Sequence, residues 1–257
     1  MSLLVNIARG CCEALRVAII SEASDTALPT GPYWATKTYL ESLGAEVDLY
    51  HITSSVDGTP PGWEIAPYTF VVFNPILTRA VGASRPSWEG QIPAWLAMGG
   101  KKFIFLGNPQ FFSAALPNDL NAMAAALGLT LAFDYLPSWF LDPGCLSVSF
   151  PAPLNWTAQV QSHALTDPLT GLQYAATCTM SGGTTILLTD VKATDAHMLP
   201  YPPGFGTGHV TNLVMGAAQV YDDSWVLMLG SPAIFQSTCS CSSNPNNQQF
   251  YENLLLA

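Results

Sequence analysis

The sequence predicts an α/β domain built on a mainly parallel sheet with helices on both faces, extended by antiparallel strands in its C-terminal half. Short, continuous apolar runs such as Arg16–Ser21, Thr69–Phe73 and Lys101–Leu106 read as strands buried on both faces. Segments with helical spacing lie between them, the alternation of a parallel βαβ chain. Late in the chain, Leu213–Tyr221 and Trp225–Leu229 flank Asp222-Asp223-Ser224, an acidic turn that suits an antiparallel hairpin.

The first strand, Arg16–Ser21, leads through a Pro/Gly-rich loop to Pro32 at the first position of a helix carrying Ala35, Tyr39, Leu40 and Leu43, which Gly44 stops. Val47–Ile52 is the second strand and Thr69–Phe73 the third. A helix over 87–98 places Trp88, Ile92, Trp95 and Leu96 on one face, with Pro93 demanding a kink or a late start and Gly99-Gly100 ending it before the strand Lys101–Leu106. Asn118 can cap the next helix, which carries Leu120, Met123, Ala124 and Leu127 and closes at Gly128. Further strands are predicted at Leu129–Tyr135, Leu146–Phe150 and Thr185–Thr189, among prolines that mark irregular connections. A last helix starts near Asn246 or Asn247 and carries Phe250, Tyr251, Leu254 and Leu255. Residues 16–257 form one domain on this reading, with 1–15 as an N-terminal extension.

Three strand ends resemble one another: Phe70 to Asn74-Pro75, Phe103 to Gly107-Asn108-Pro109, and Val226 to Gly230-Ser231-Pro232. In a parallel sheet they would share the carboxyl edge, where open α/β sheets bind ligands. Gly and Pro also simply terminate buried strands.

Composition narrows the partners. Only 10% of residues are charged, so solvation rests on neutral polar side chains, and a formal net charge of −10 repels phosphate backbones, which argues against nucleic acid. The longest apolar stretch, Leu120 to Phe133, is broken by Asn121, Gly128 and Thr130 and is too short to span a bilayer. At the N-terminus, Arg9 and Glu13 interrupt any secretory core, while Gly10-Cys11 faintly resembles a lipoprotein cleavage site. Low charge and the Asn155-Trp156-Thr157 sequon favour export slightly. The cysteines form an adjacent pair (Cys11, Cys12), two singles (Cys145, Cys178) and a C-x-C (Cys239, Cys241); none of these is metal-ligand spacing, and no metal or cofactor is expected. A disulfide from Cys239 or Cys241 would tie down a Ser/Asn-rich loop in an oxidising compartment. The Leu254-Leu255-Leu256-Ala257 ending and unpatterned start also suit a piece of a longer protein.

Several segments together resemble the class I glutamine amidotransferase-like fold, a flavodoxin-like arrangement, and especially its non-amidotransferase and carbohydrate-associated branches. The opening strand Arg16–Ser21 with its crossover helix is one; Trp95 to Gly107 resembles the helix, Gly-Gly and strand leading to the nucleophile elbow. His163-Ala164-Leu165-Thr166-Asp167-Pro168-Leu169-Thr170-Gly171-Leu172 is similar to the family's H-P-[IL]-T-x-G segment, and Ser231 with Asn247 to Leu256 to its closing segment. The resemblance implies a nucleophilic Cys on the elbow and an activating His. Here the turn reads Gly107-Asn108-Pro109-Gln110, and neither His197 nor His209 is followed by the family's acid, so glutamine hydrolysis is not supported. Pro109 also removes one backbone donor from any oxyanion hole.

Candidate chemistry falls on the same edge. Glu22, with Asp25 close behind, can act as an acid or base or remain a solvated loop carboxylate; Ser231 can act as a nucleophile or only end a strand. His209 closes a glycine-rich stretch, Gly204 to Gly208, that precedes a strand rather than opening a helix, so it fails as a phosphate cradle. Asn74, Asn108 and Gln110 are candidate ligand-binding amides, and Trp139 in Pro137-Ser138-Trp139-Phe140 a candidate lip. Trp34, Trp63, Trp88 and Trp156, placed in loops or at helix starts, either stack on sugars or pack. These features imply either a catalytically degenerate domain that binds a small polar molecule or carbohydrate, or serves as an accessory or homo-oligomeric module, or else a hydrolase of esters, phosphoesters or glycosides using Glu22, Ser231 and His209.

Overall fold

The computed structural model describes residues 15–21, 29–51, 62–74, 86–107, 115–137, 156–174, 178–182, 185–190, 213–237 and 241–256. Strands β1 (Arg16–Ser21), β2 (Glu46–His51), β3 (Phe70–Asn74) and β4 (Lys102–Leu106) are parallel, in spatial order β2-β1-β3-β4. All five residues of both β3 and β4 are buried, because helices cover both faces and leave no side for a polar alternation. Odd positions of β1, Val17 and Ile19, pack with α1 (Trp34–Ser42) and α4 (Pro245–Leu256); even positions, Ala18 and Ile20, pack with α2 (Ile92–Leu96) and α3 (Ala115–Ala126).

The antiparallel part completes the sheet from the far end of the chain. Strand β11 (Ser224–Leu229) adds to β4 in parallel and pairs with β10 (Leu213–Tyr221) as a hairpin whose two-residue turn, Asp222-Asp223, places Asp222 at φ 50. Beyond β10 come β9 (Thr185–Asp190), β6 (Trp156–Val160) and β7 (Leu172–Tyr174), each antiparallel to its neighbour.

Several local expectations need correction. Helix α1 begins at Trp34, two residues after Pro32, with Tyr33 at its N-cap. Of its predicted apolar face only Leu40 is buried outright; Thr36 joins it because its hydroxyl donates to Phe235 O at 2.7 Å. The predicted helix over 87–98 is a 3-10 turn, Glu89–Gln91, followed by α2, so Pro93 falls in the first turn, where its missing N–H costs nothing. Asn118 lies within α3 rather than capping it. Strand β5 (Ala132–Pro137) starts three residues later than predicted and pairs with β8 (Cys178–Ser181) in a separate small sheet. Trp156 belongs to β6 rather than to a loop, and Trp88, 2% exposed, packs between Phe73 and Trp63. The predicted strand Leu146–Phe150 lies outside the described residues. Cys241 is buried, and burial pushes its thiol up to about 12; Cys239, the other cysteine expected to form a disulfide, lies outside the described residues.

At the amino edge of the sheet buried and half-buried polar groups are tied together. The Arg16 guanidinium donates to Asp48 Oδ2 at 2.9 Å, and the Tyr68 hydroxyl donates to the same oxygen at 2.8 Å. Arg16 Nε lies 3.1 Å from Glu46 Oε2, close enough for an ion pair but not aligned for a hydrogen bond, so the Asp48 contact is the directional one. Ser224 Oγ donates to Leu96 O at 2.6 Å and accepts from Lys101 N at 3.1 Å, locking the start of β11 to the helix-to-strand turn before β4. Lys102 is 2% exposed; burial, with Lys101 nearby, lowers its amine to about 8.

Candidate functional site

Strand β1 lies between β2 and β3, so the connections leaving it and returning beside it run in opposite senses, and the carboxyl ends of β1 and β3 form a topological switch point, the place where open α/β sheets bind ligands. Ser21 closes β1 and Asn74 closes β3; they are register partners, and both are fully buried. Asn74 Nδ2 donates to Ser21 Oγ at 3.3 Å, bridging the switch point, and also to the Tyr33 hydroxyl.

Tyr33 reaches this position because two bonds strap the start of α1 to the segment after β11. Thr36 holds Phe235 O, and Ser237 N donates to Pro32 O at 2.7 Å. The same straps bring Gln236, which follows the 3-10 turn Pro232–Phe235, to Tyr33, where Nε2 donates to the hydroxyl at 3.0 Å. Burial pushes the Tyr33 phenol above its ordinary value, against smaller opposing pulls from its bonds to Ser21, Gln236 and Asn74, so it keeps its proton through the physiological range.

One atom in this quartet is left over. Asn74 Oδ1 is buried and has no hydrogen-bond partner among the described residues. An unmade bond to a buried carbonyl costs about 1–3 kcal/mol, so the arrangement is suited to an incoming hydrogen-bond donor. Ser21, Tyr33, Asn74 and Gln236 are all uncharged, and they can hold and orient a polar group without compensating a charge.

The three similar strand ends do meet on one edge: β3, β4 and β11 are adjacent and parallel, and Gly107 N donates to Leu229 O at 2.8 Å. Ser231, at the end of β11, is 1% exposed with extended backbone, φ −126. Of the residues singled out from sequence, Asn74 and Ser231 are described; Glu22, Asn108, Gln110, Trp139 and His209 are not among the described residues. Sequence reasoning missed Tyr33 and Gln236. A tyrosine immediately before a helix, after Gly31-Pro32, was a usable signal, since a buried phenol needs a partner; Gln236 carried none. Among the described residues no group of three or more His, Cys, Asp or Glu gathers to hold a metal, and no helix is long and apolar enough to cross a membrane.

His163 is part of a structural turn rather than of this edge. Its Nδ1 accepts from Leu165 N at 3.2 Å, its ring meets Trp225 edge-on at 4.7 Å, and Asn253 of α4 donates to Leu165 O and Asp167 O.

No protein-family model matches the chain, and no curated protein does. Among solved structures, a protein described as ThuA-like from Bacteroides uniformis ATCC 8492 is similar over 95% of this chain and 91% of its own, with a TM-score of 0.50 and 12% identity. A second protein described as ThuA-like, from Parabacteroides merdae ATCC 43184, aligns over 95% of this chain and 88% of its own at TM-score 0.47 and 14% identity. A β-galactosidase from Bacillus circulans sp. alkalophilus aligns over 96% of this chain at TM-score 0.48 and 13% identity, and this chain spans 31% of that enzyme. The chain has the class I glutamine amidotransferase-like fold that its segments resemble.

Proposed function

We propose that this amidotransferase-like domain has lost the glutaminase reaction and binds a small polar molecule non-covalently at the carboxyl ends of β1 and β3. The observation that carries the reading is the buried, unpartnered Asn74 Oδ1 at the switch point. A lining of hydroxyls and carboxamides suits an uncharged, hydroxyl-bearing partner, and a carbohydrate is the class that fits both this chemistry and the branch the sequence resembles. Nucleic acid is not a partner on this reading, because the chain carries a net charge of −10. A homo-oligomer or an accessory role beside a catalytic domain is compatible with it.

The test is titration of the purified chain with glycerol, D-glucose, D-galactose and maltose, followed by calorimetry and by side-chain amide NMR. Saturable binding of at least one of these, lost in Asn74→Leu, is the expected result. The rival hydrolase reading is tested on ester, phosphoester and glycoside substrates. Turnover that disappears in Glu22→Gln or Ser231→Ala would overturn the proposal.

A further inference from the structure

We propose that Gln236 is a positioning residue: without touching the bound molecule, it sets, through the Tyr33 hydroxyl, which end of the Asn74 carboxamide faces the switch point. This rests on the binding reading above. Gln236, Tyr33, Asn74 and Ser21 form a continuous hydrogen-bonded chain, with Tyr33 in the middle bonded to both amides. A phenol has one proton to give and lone pairs to receive, whereas each carboxamide has two ends of similar size and opposite hydrogen-bond polarity. Tyr33 also bonds Ser21, so the group that Gln236 turns toward Tyr33 sets whether the Tyr33 proton stays on the Ser21 and Asn74 side or is drawn off it.

In this structure both Gln236 Nε2 and Asn74 Nδ2 donate to the Tyr33 oxygen, and Asn74 Oδ1 is left facing no partner. With a donor at 236, the Tyr33 proton is available to the Ser21 and Asn74 side, and a turned Asn74 amide could accept it through Oδ1, leaving Nδ2 to face the ligand. With only an acceptor at 236, the proton is drawn away from Asn74. Tyr33 is then an acceptor toward Asn74, Nδ2 must stay inward, and Oδ1 must stay outward. Burial keeps Tyr33 protonated, so the proton that this coupling needs is always present. The native pair of amides is poised to meet a hydroxyl, which both donates and accepts; an acceptor at 236 restricts the site to donors.

The experiment compares wild type with Gln236→Glu, Tyr33→Phe and the double variant Y33F/Q236E. Two readouts are followed: the Asn74 side-chain amide resonances, assigned by their loss in Asn74→Leu, and the preference for the panel sugar that binds over its mono-O-methyl ethers, which accept at the blocked position but cannot donate there. Gln236→Glu should shift the Asn74 resonances and widen the preference for the free hydroxyl about tenfold, and neither change should occur in the Tyr33→Phe background. Equal effects with and without the Tyr33 hydroxyl would overturn the relay. If Tyr33→Phe does not fold, Gln236→Leu replaces it as the control: a response as large as that of Gln236→Glu overturns the proposal, and a markedly smaller one supports it. The resonance readout needs no bound molecule. Coupled shifts with no sugar bound would sink the binding reading and leave the relay standing, whereas binding lost in Asn74→Leu with no coupled shift would do the reverse.

Discussion

The two ends of the same sheet treat buried polar groups in opposite ways. At the amino edge, Ser224, Tyr68 and Asp48 each close on a partner, and the turn before β4 is pinned to the start of β11. At the carboxyl edge, Asn74 is as deeply buried as Ser224 but keeps one end of its amide unmatched. Depth does not set the pairing: Arg16 and Asp48 are only half-buried yet bonded to each other, with Arg16 Nε left to an ion pair alone, whereas Asn74 is fully buried and its Oδ1 meets no partner among the described residues. On the proposed reading, the paired groups of the amino edge contribute to stability, and the unmatched end of the Asn74 amide is the one a ligand would meet.

That contrast can be broken most directly at Ser224. Ser224→Ala removes two bonds at once and takes from Lys101 N the hydroxyl it donates to, while Leu96 O keeps its bond from Gly99 N at 3.0 Å, so chemical denaturation should show a loss of about 2 kcal/mol. Lys102 is the exception at the amino edge, because burial works against its charge. Its folded-state amine, at about 8, lies below the unfolded value, so the penalty is fully present below pH 8 and is relieved as pH rises toward the unfolded value. Lys102→Met should stabilise the fold at pH 7 by roughly 1–3 kcal/mol and flatten the rise in stability that wild type shows above pH 8. Wild type and variant with equal slopes would show that the site carries no such penalty. Arg16→Ala, at a partly exposed ion pair, should cost about 1 kcal/mol or less and lose most of that effect in high salt. Asn74→Leu should have the smallest thermodynamic effect, within about 1 kcal/mol of wild type, because the bonds it loses are offset by removing an unsatisfied carbonyl, yet it should abolish sugar binding. If Asn74→Leu instead destabilised as much as Ser224→Ala, the two edges would not differ in kind.

Much of the sheet was legible because buried parallel strands advertise themselves. Val17 to Ile20, Phe70 to Phe73 and Phe103 to Leu106 have no polar residue to confuse the reading, and Gly44, Gly99 and Gly128 mark helix ends where the backbone takes positive φ. Strands β6, β7 and β8 were missed because they are short and carry polar residues such as Gln159, Gln173 and Thr179, so no apolar run signals them. Asn74 was singled out, as one of three similar strand ends. What sets it apart is that β3 lies beside β1, and strand order is a long-range property that periodicity does not encode. Tyr33 and Gln236 are 203 positions apart and meet only because α1 is strapped to the chain after β11.

The position of β11 has a consequence for how the chain is made. Strand β4 is complete at Leu106, but the strand that covers its outer edge begins only at Ser224, and β10, which flanks β11 on the other side, is made just before it. A nascent chain therefore carries an apolar strand with one open side while most of the remaining residues are synthesised, a template for pairing with other chains. Closing the middle of the sheet is a late event with a long loop to close, so folding should be slow for a chain of this size, and premature release from the ribosome should favour aggregation over a stable half-domain.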